Sequence, residues 1–332
     1  MKKFGLLILV VLIIVLSQLI SNPLYFNKKL SEKIIRDLLF DINTSIFNNN
    51  FNHKFNINID SINILEDMKK VKNVDILMAN HYSSVDFMLI FYLLNCVKRK
   101  DIILLFKKEL LYIPIVSNLL DSDNYMKINR SWDKDKDFLE KYINKLKNGI
   151  IIIFPEGTRY SRINYEKSKK YCTNNKLICN KKLLIPRVKG LFNIISILKK
   201  NNKMGNLYDL SSVVPEIMEN FDKIKFDYIK LFSTDLSESY HYLSKITIPN
   251  YYEDYDIFKN WLYHQWNTKD FFINNYKNYK YKQLLGKYSK KNILKCYVMI
   301  IVYIYLIKNY PYHTTSNFIL FYSLTLFKTL LN

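Results

Sequence analysis

The stretch Val74-Asp75-Ile76-Leu77-Met78-Ala79-Asn80-His81-Tyr82-Ser83-Ser84-Val85-Asp86-Phe87 joins a short apolar run to a longer one, ending near Val97, through a polar turn. The short run reads as a buried strand and the longer one as a helix, which is one strand–turn–helix unit of an α/β fold. His81 and Asp86 stand five positions apart in that unit. On one continuous helix their side chains would lie about 140° apart and could not meet. They can meet if His81 occupies the turn and Asp86 the first helical turn, with Ser83 or Ser84 as N-cap. A carboxylate on one imidazole nitrogen fixes the tautomer and leaves the other nitrogen to take a proton from a hydroxyl, a general-base arrangement.

A second stretch has the same form. Residues 150–153, four isoleucines, run into Phe154-Pro155-Glu156-Gly157-Thr158-Arg159. Further strands are expected at 102–106, 125–129, 183–185, 208–215 and 240–248, and helices at 134–147, 167–174, 192–199 and 251–276. Phe138, Tyr142, Ile143 and Leu146 share one face of the helix at 134–147, and Gly149 reads as its C-cap. Residues 48–58, rich in asparagine, read as a loop or a weak hairpin. Short strands alternating with helices argue an α/β domain, with functional residues at the C-terminal ends of the strands.

The chain has 332 residues and a formal net charge of +21, room for one sizeable core with attached ends. That charge points to an anionic partner, a lipid or a phosphorylated substrate. Nucleic acid is disfavoured, because no run of five basic residues occurs. Cys96, Cys172, Cys179 and Cys296 form no CxxC pair, and no histidine stands at zinc-ligand spacing beside them. They read as reduced thiols facing a cytosol, and no metal is expected.

The ends are apolar. Lys2 and Lys3 precede an uncharged stretch reaching Phe26, long enough for one helix to cross a bilayer. It reads as an uncleaved anchor, since no small-x-small cleavage site follows. Leu30, Ile34, Ile35, Leu38 and Leu39 stand at helical spacing and suit an amphipathic helix. Near the C-terminus, residues 296–307 and 318–327 are uncharged but short. They fit an interfacial or re-entrant hairpin, or packing against the anchor.

Four blocks thus stand in order, each after an expected strand: 80–86, 126–133, 154–159 and 184–190. In order and spacing they resemble the glycerolipid acyltransferase family, and most of all its branch of eukaryotic long-chain lysophosphatidic acid and lysocardiolipin acyltransferases. Residues 130–135, Glu166-Lys167-Ser168, Leu207-Tyr208-Asp209, Trp261 and Lys269-Asp270 add to the likeness, which covers roughly residues 74–276. Tyr82 stands where relatives often carry Gln, Tyr160 where Phe is usual and Val188 where Thr is usual. Leu191 intervenes before Phe192. These departures put acyl or head-group preference in doubt and leave His81, Asp86 and Arg159 untouched.

The resemblance implies acyl transfer from acyl-CoA, a co-substrate and not a bound cofactor, to a glycerol hydroxyl of lysophosphatidic acid or another lysophospholipid. It implies a mixed, largely parallel sheet flanked by helices, with an anchor at 1–27, an amphipathic region at 28–73, the acyltransferase domain at 74–285 and membrane-associated segments at 286–332. An endoplasmic-reticulum-type membrane, with the site facing the cytosol, is expected. His81 and Asp86 are the catalytic pair. Arg130 and Arg159 suit the substrate phosphate, because guanidinium pairs with phosphate bidentately. Gly157 admits close backbone approach, Thr158 offers a hydroxyl, and Glu156 is placed to orient Arg159 or a substrate hydroxyl. Pro186, Arg187, Lys189 and Gly190 are weaker candidates for contact with acyl-CoA or acceptor. Bland alternatives stand beside these: Arg130 paired with Asp133, Lys189 solvated, Pro186 and Gly190 forming only a turn, and Trp132 packed in the core. A protein of another class, a non-catalytic binder of anionic bilayers, would show salt-sensitive vesicle binding and no turnover.

Overall fold

The computed structural model describes residues 52–83, 85–107, 125–128, 132–219 and 237–290, together with 37, 40, 41, 43–45, 47 and 48. Its first strand, β1 (Lys54–Asn58), and helix α1 (Ile62–Met68) precede β2 (Val74–Ala79), α2 (Val85–Cys96) and β3 (Ile102–Lys107). Then come β4 (Tyr125–Ile128), α3 (Trp132–Lys145), β5 (Gly149–Ile153), α4 (Arg162–Asn174) and α5 (Val188–Lys200). The chain continues through β6 (Met204–Val213), α6 (Pro215–Glu219), β7 (Glu238–Ile246), α7 (Tyr255–Asn274) and β8 (Tyr281–Leu284).

The eight strands make one sheet in the order β4-β3-β5-β2-β6-β7-β1-β8. The run from β4 to β6 is parallel; β6 meets β7 and β1 meets β8 antiparallel, while β1 and β7 are parallel. Every residue of β2 and β5 is buried, as expected for parallel strands covered on both faces. In β7 buried and half-buried residues alternate over most of its length, the pattern of a strand covered more heavily on one face. Helix α5 turns Val188, Leu191, Ile194, Ile195 and Leu198 into the core, and α7 contributes Phe258, Leu262 and Trp266. Asp75 sits within apolar β2 because Arg99, itself buried, pairs with it and with Asp101 (2.7 Å).

Register sets the position of the site. Met78 of β2 pairs with Ile153 of β5, and Ala79 with Leu210 of β6. The residues after β2 and β5 therefore leave the same edge of the sheet side by side.

Four expectations change. Residues 54–58, within the expected loop or weak hairpin, form β1, because Phe55 and Ile57 are buried between β7 and β8. The sheet thus extends N-terminal of Val74, and its last strand, β8, had no counterpart in the expected elements. Residues 183–185 form no strand. Side chains take backbone N–H groups there: Glu156 that of Leu184 (3.4 Å) and Ser168 that of Ile185 (2.8 Å). Gly149 is the first residue of β5 and not a helix cap, with φ of 143°. A Cβ there would meet Ile103 Cδ1 at 2.7 Å. Gly190 lies in the first turn of α5, where an added Cβ would meet nothing within 4 Å. Among the described residues no helix is long and apolar enough to cross a membrane. The expected anchor at 1–27 and nearly all of the C-terminal segments lie outside the described residues.

Candidate active site

Helix α2 begins at Val85, so His81 falls in the turn and Asp86 in the first helical turn. The Ser83 hydroxyl accepts the N–H of Val85 (3.1 Å), which caps the helix. Asp86 Oδ2 lies 2.9 Å from His81 Nδ1 and also accepts the N–H groups of Tyr82 (2.6 Å) and Ser83 (2.8 Å). One buried carboxylate oxygen thus fixes the turn and the imidazole together. An acceptor-only carboxylate on Nδ1 requires the proton on that nitrogen and leaves the lone pair on Nε2. The rings of Phe154 (centroids 4.2 Å apart, stacked) and Phe87 (5.9 Å, edge-on) hold the imidazole plane. Phe154 reaches His81 because it follows Ile153, the register partner of Met78.

Glu156 is buried, and burial pushes its carboxyl up to about 8. Its Oε1 accepts the N–H of His81 (3.1 Å), and its Oε2 that of Leu184 (3.4 Å). It ties the His81 turn to the segment before α5. The carbonyl of His81 in turn accepts the N–H of Tyr160 (2.8 Å). Gly157 has φ of 67°, and a Cβ there would lie 2.8 Å from Arg187 Cδ. The third and fourth blocks meet at that point, where the N–H of Arg187 also donates to Pro155 O (2.7 Å). The Thr158 hydroxyl accepts from Asn164 Nδ2 (3.3 Å), and so does Arg159 O (3.0 Å). The Arg159 side chain is half-buried; Arg187, Lys189 and Gly190 are exposed, and Pro186 is buried. Arg130 lies outside the described residues.

Several further residues support the site. Tyr82 donates its hydroxyl to Lys182 O (2.6 Å), so the residue that departs from the usual Gln bolts the His81 turn to the 181–187 segment. Asp270, near the end of α7, accepts the N–H groups of Lys181 (2.8 Å) and Lys182 (2.7 Å). Lys269, fully buried, pairs with Asp209 of β6 (2.5 Å) and donates to Leu210 O (2.7 Å). Burial pushes Lys269 down and Asp209 up, against the attraction between them. Asn80 exchanges two hydrogen bonds of 2.9 Å with the backbone of Ser212, locking the end of β2 to β6 one residue before His81. The Ser212 hydroxyl is 2.9 Å from His241, which burial holds well below its ordinary pKa and therefore neutral. Asn80 and Phe154 open the first and third blocks, and their position at the end of a strand is the signal that could have given them a role. The resemblance marks Asp209, Lys269 and Asp270, but they stand too far along the chain for spacing to place them beside His81.

The acyltransferase family model matches residues 62–202, which contain all of these blocks. An uncharacterized acyltransferase of Schizosaccharomyces pombe is 26% identical over 276 residues, covering 76% of this chain and 78% of its own length. A probable 1-acyl-sn-glycerol-3-phosphate acyltransferase of Arabidopsis thaliana is 24% identical over 216 residues, 60% of this chain and 53% of that protein. A lysocardiolipin acyltransferase of Gallus gallus is 24% identical over 156 residues, 45% of this chain and 40% of that protein. The match thus spans about half or less of the plant and chicken proteins.

Proposed function

We propose that this chain, a member of the glycerolipid acyltransferase family, transfers an acyl group from a coenzyme A thioester to the free glycerol hydroxyl of a lysophospholipid. The observation that carries the reading is the 2.9 Å contact between His81 Nδ1 and Asp86 Oδ2. A hydroxyl is a weak nucleophile at neutral pH, and a base at hydrogen-bond distance contributes about 10²–10⁴-fold. The hydroxyl oxygen forms the new ester bond to the thioester carbon as Nε2 takes its proton. The carbon–sulfur bond breaks, and the thiolate leaves and recovers that proton. The donor is already activated, so no serine or cysteine nucleophile is needed.

The acceptor we favour is lysophosphatidic acid, giving phosphatidic acid; the name of the plant relative supports it. The chicken relative's name supports a second reading, the same chemistry on lysocardiolipin or a similar acceptor. Arg159 and Arg130 are the proposed phosphate partners, with Arg187 beside Gly157 as an additional cation. Membrane attachment through residues 1–27 and 286–332 at an endoplasmic-reticulum-type membrane, the site facing the cytosol, belongs to the same proposal. So do the expected domain limits, with the start of the acyltransferase domain moved from residue 74 to β1 at Lys54.

The test incubates detergent-solubilised protein with labelled acyl-CoA and lysophosphatidic acid, lysophosphatidylglycerol, lysophosphatidylcholine and lysocardiolipin in turn. Labelled phosphatidic acid as the dominant product is expected. Product from another acceptor alone would replace the substrate and keep the chemistry. No labelled lipid from any acceptor would overturn the reading.

A further inference from the structure

Residues 162–190, which form α4, the loop after it and the start of α5, hold nine lysines and arginines against one acidic residue, Glu166. They account for eight of the 21 net positive charges in under a tenth of the chain. The fold draws this segment together. The loop doubles back along α4: Leu177 N–H donates to Cys172 O (2.9 Å), Cys179 Sγ is 3.8 Å from Lys169 O, and Asn180 O accepts from the Tyr165 hydroxyl (3.1 Å). On α4, Ile163, Lys167 and Lys170 follow at intervals of four and three residues, one stripe of the helix. All three are exposed, as are Lys169 and Lys176. Two large apolar side chains stand fully in solvent within this basic surface: Ile163 is 71% exposed and Ile178 76%.

We infer that α4 and its returning loop form a docking face for the surface of an anionic phospholipid bilayer, with Ile163 and Ile178 entering the interface among lysines that pair with lipid phosphates. Charge selects the occupant: lysines near an anionic leaflet each strengthen association about fivefold. Exposed isoleucines on a basic face fit the boundary between headgroups and acyl chains and add nothing to a nucleic-acid groove. Position supports the choice. The same loop continues to Lys182, whose carbonyl holds Tyr82, and to Leu184, which binds Glu156. Docking there presents the His81 turn to the membrane surface, independently of any segment that spans it. The inference stands on surface chemistry and holds whatever acceptor the site uses.

The test places a photoreactive benzophenone side chain at Ile178 of the full chain, reconstituted in nanodiscs of phosphatidylcholine with or without phosphatidylglycerol. A control carries it at Tyr251, which is equally exposed. Its neighbour Tyr252 lies over Lys199, at the end of α5 that leads into the start of β6, the opposite edge of the sheet. Lipid adducts at 178 and not at 251 are expected in anionic discs. The adduct yield should fall about tenfold or more when Lys167, Lys169, Lys170 and Lys176 are all changed to glutamine, with turnover in detergent micelles unchanged. No adduct at 178, equal yields in neutral and anionic discs, or preferential crosslinking to added RNA would overturn the inference. Because the readout needs no turnover, it separates failure of the docking face from failure of the proposed reaction.

Discussion

At the scale of single residues, the account rests on two carboxyl groups doing different work on the His81 turn. Asp86 is an acceptor for three N–H groups through one oxygen. Asp86→Asn keeps the shape but cannot favour the imidazolium formed when Nε2 takes a proton. Turnover should fall about 10²–10⁴-fold, while circular dichroism shows the fold retained. Glu156 does the opposite work, because burial raises it from 4.5 to about 8. Between those values the folded protein holds a proton that the unfolded chain has lost, so stability falls as pH rises through that window. Thermal melts from pH 4.5 to 8 should show the decline, and Glu156→Gln should flatten it; an unchanged slope would show that Glu156 is not its source. Gly157 is in the left-handed region and against Arg187. Gly157→Ala should cost about 1–2 kcal/mol in a denaturant titration, with a larger proportional loss of activity, because the loop it strains carries Thr158 and Arg159.

At the scale of elements, the strand–turn–helix units around β2 and β5 were legible because a buried parallel strand is a pure apolar run ending at a polar turn. Helix geometry allowed the His81–Asp86 contact on the condition that His81 lay in the turn and Asp86 in the first helical turn, and both hold. What escaped had physical reasons. Strand β1 alternates apolar and polar residues amid asparagines, and its burial depends on β7 and β8, which lie far along the chain. The 183–185 segment is as apolar as a strand, yet side chains from α4 and the β5 loop take its backbone groups, and Asp270 of α7 takes those of Lys181 and Lys182 just before it. Asp270 acts through that segment, and no local pattern links it to His81. The Lys269–Asp209 pair joins α7 to β6 beneath the site. Lys269→Met should destabilise the protein by about 3–5 kcal/mol, because it leaves Asp209 buried without its cation. Chemical denaturation of the single variant and of Lys269→Met with Asp209→Leu would check this. The double variant should recover much of the loss.

At the scale of the molecule, five parallel strands, from β4 to β6, carry the turns of the proposed site at one edge, and the β7-β1-β8 extension widens the sheet away from them. The four blocks are spread over more than a hundred residues; parallel register brings the first and third together, and the hydrogen bonds of Leu184 to Glu156 and of Arg187 to Pro155 add the fourth. Excess positive charge concentrates beside that edge, on α4 and its loop, which suits a protein whose proposed substrates are anionic and amphiphilic. The central claim is that His81, oriented by Asp86, is the base for acyl transfer. The most direct measurement is single-turnover acyl transfer by His81→Ala beside the unaltered protein, with acyl-CoA and the preferred lysophospholipid both saturating. A rate lower by about 10²–10⁴-fold, with lysophospholipid binding retained, is the predicted result; an unchanged rate would contradict the account.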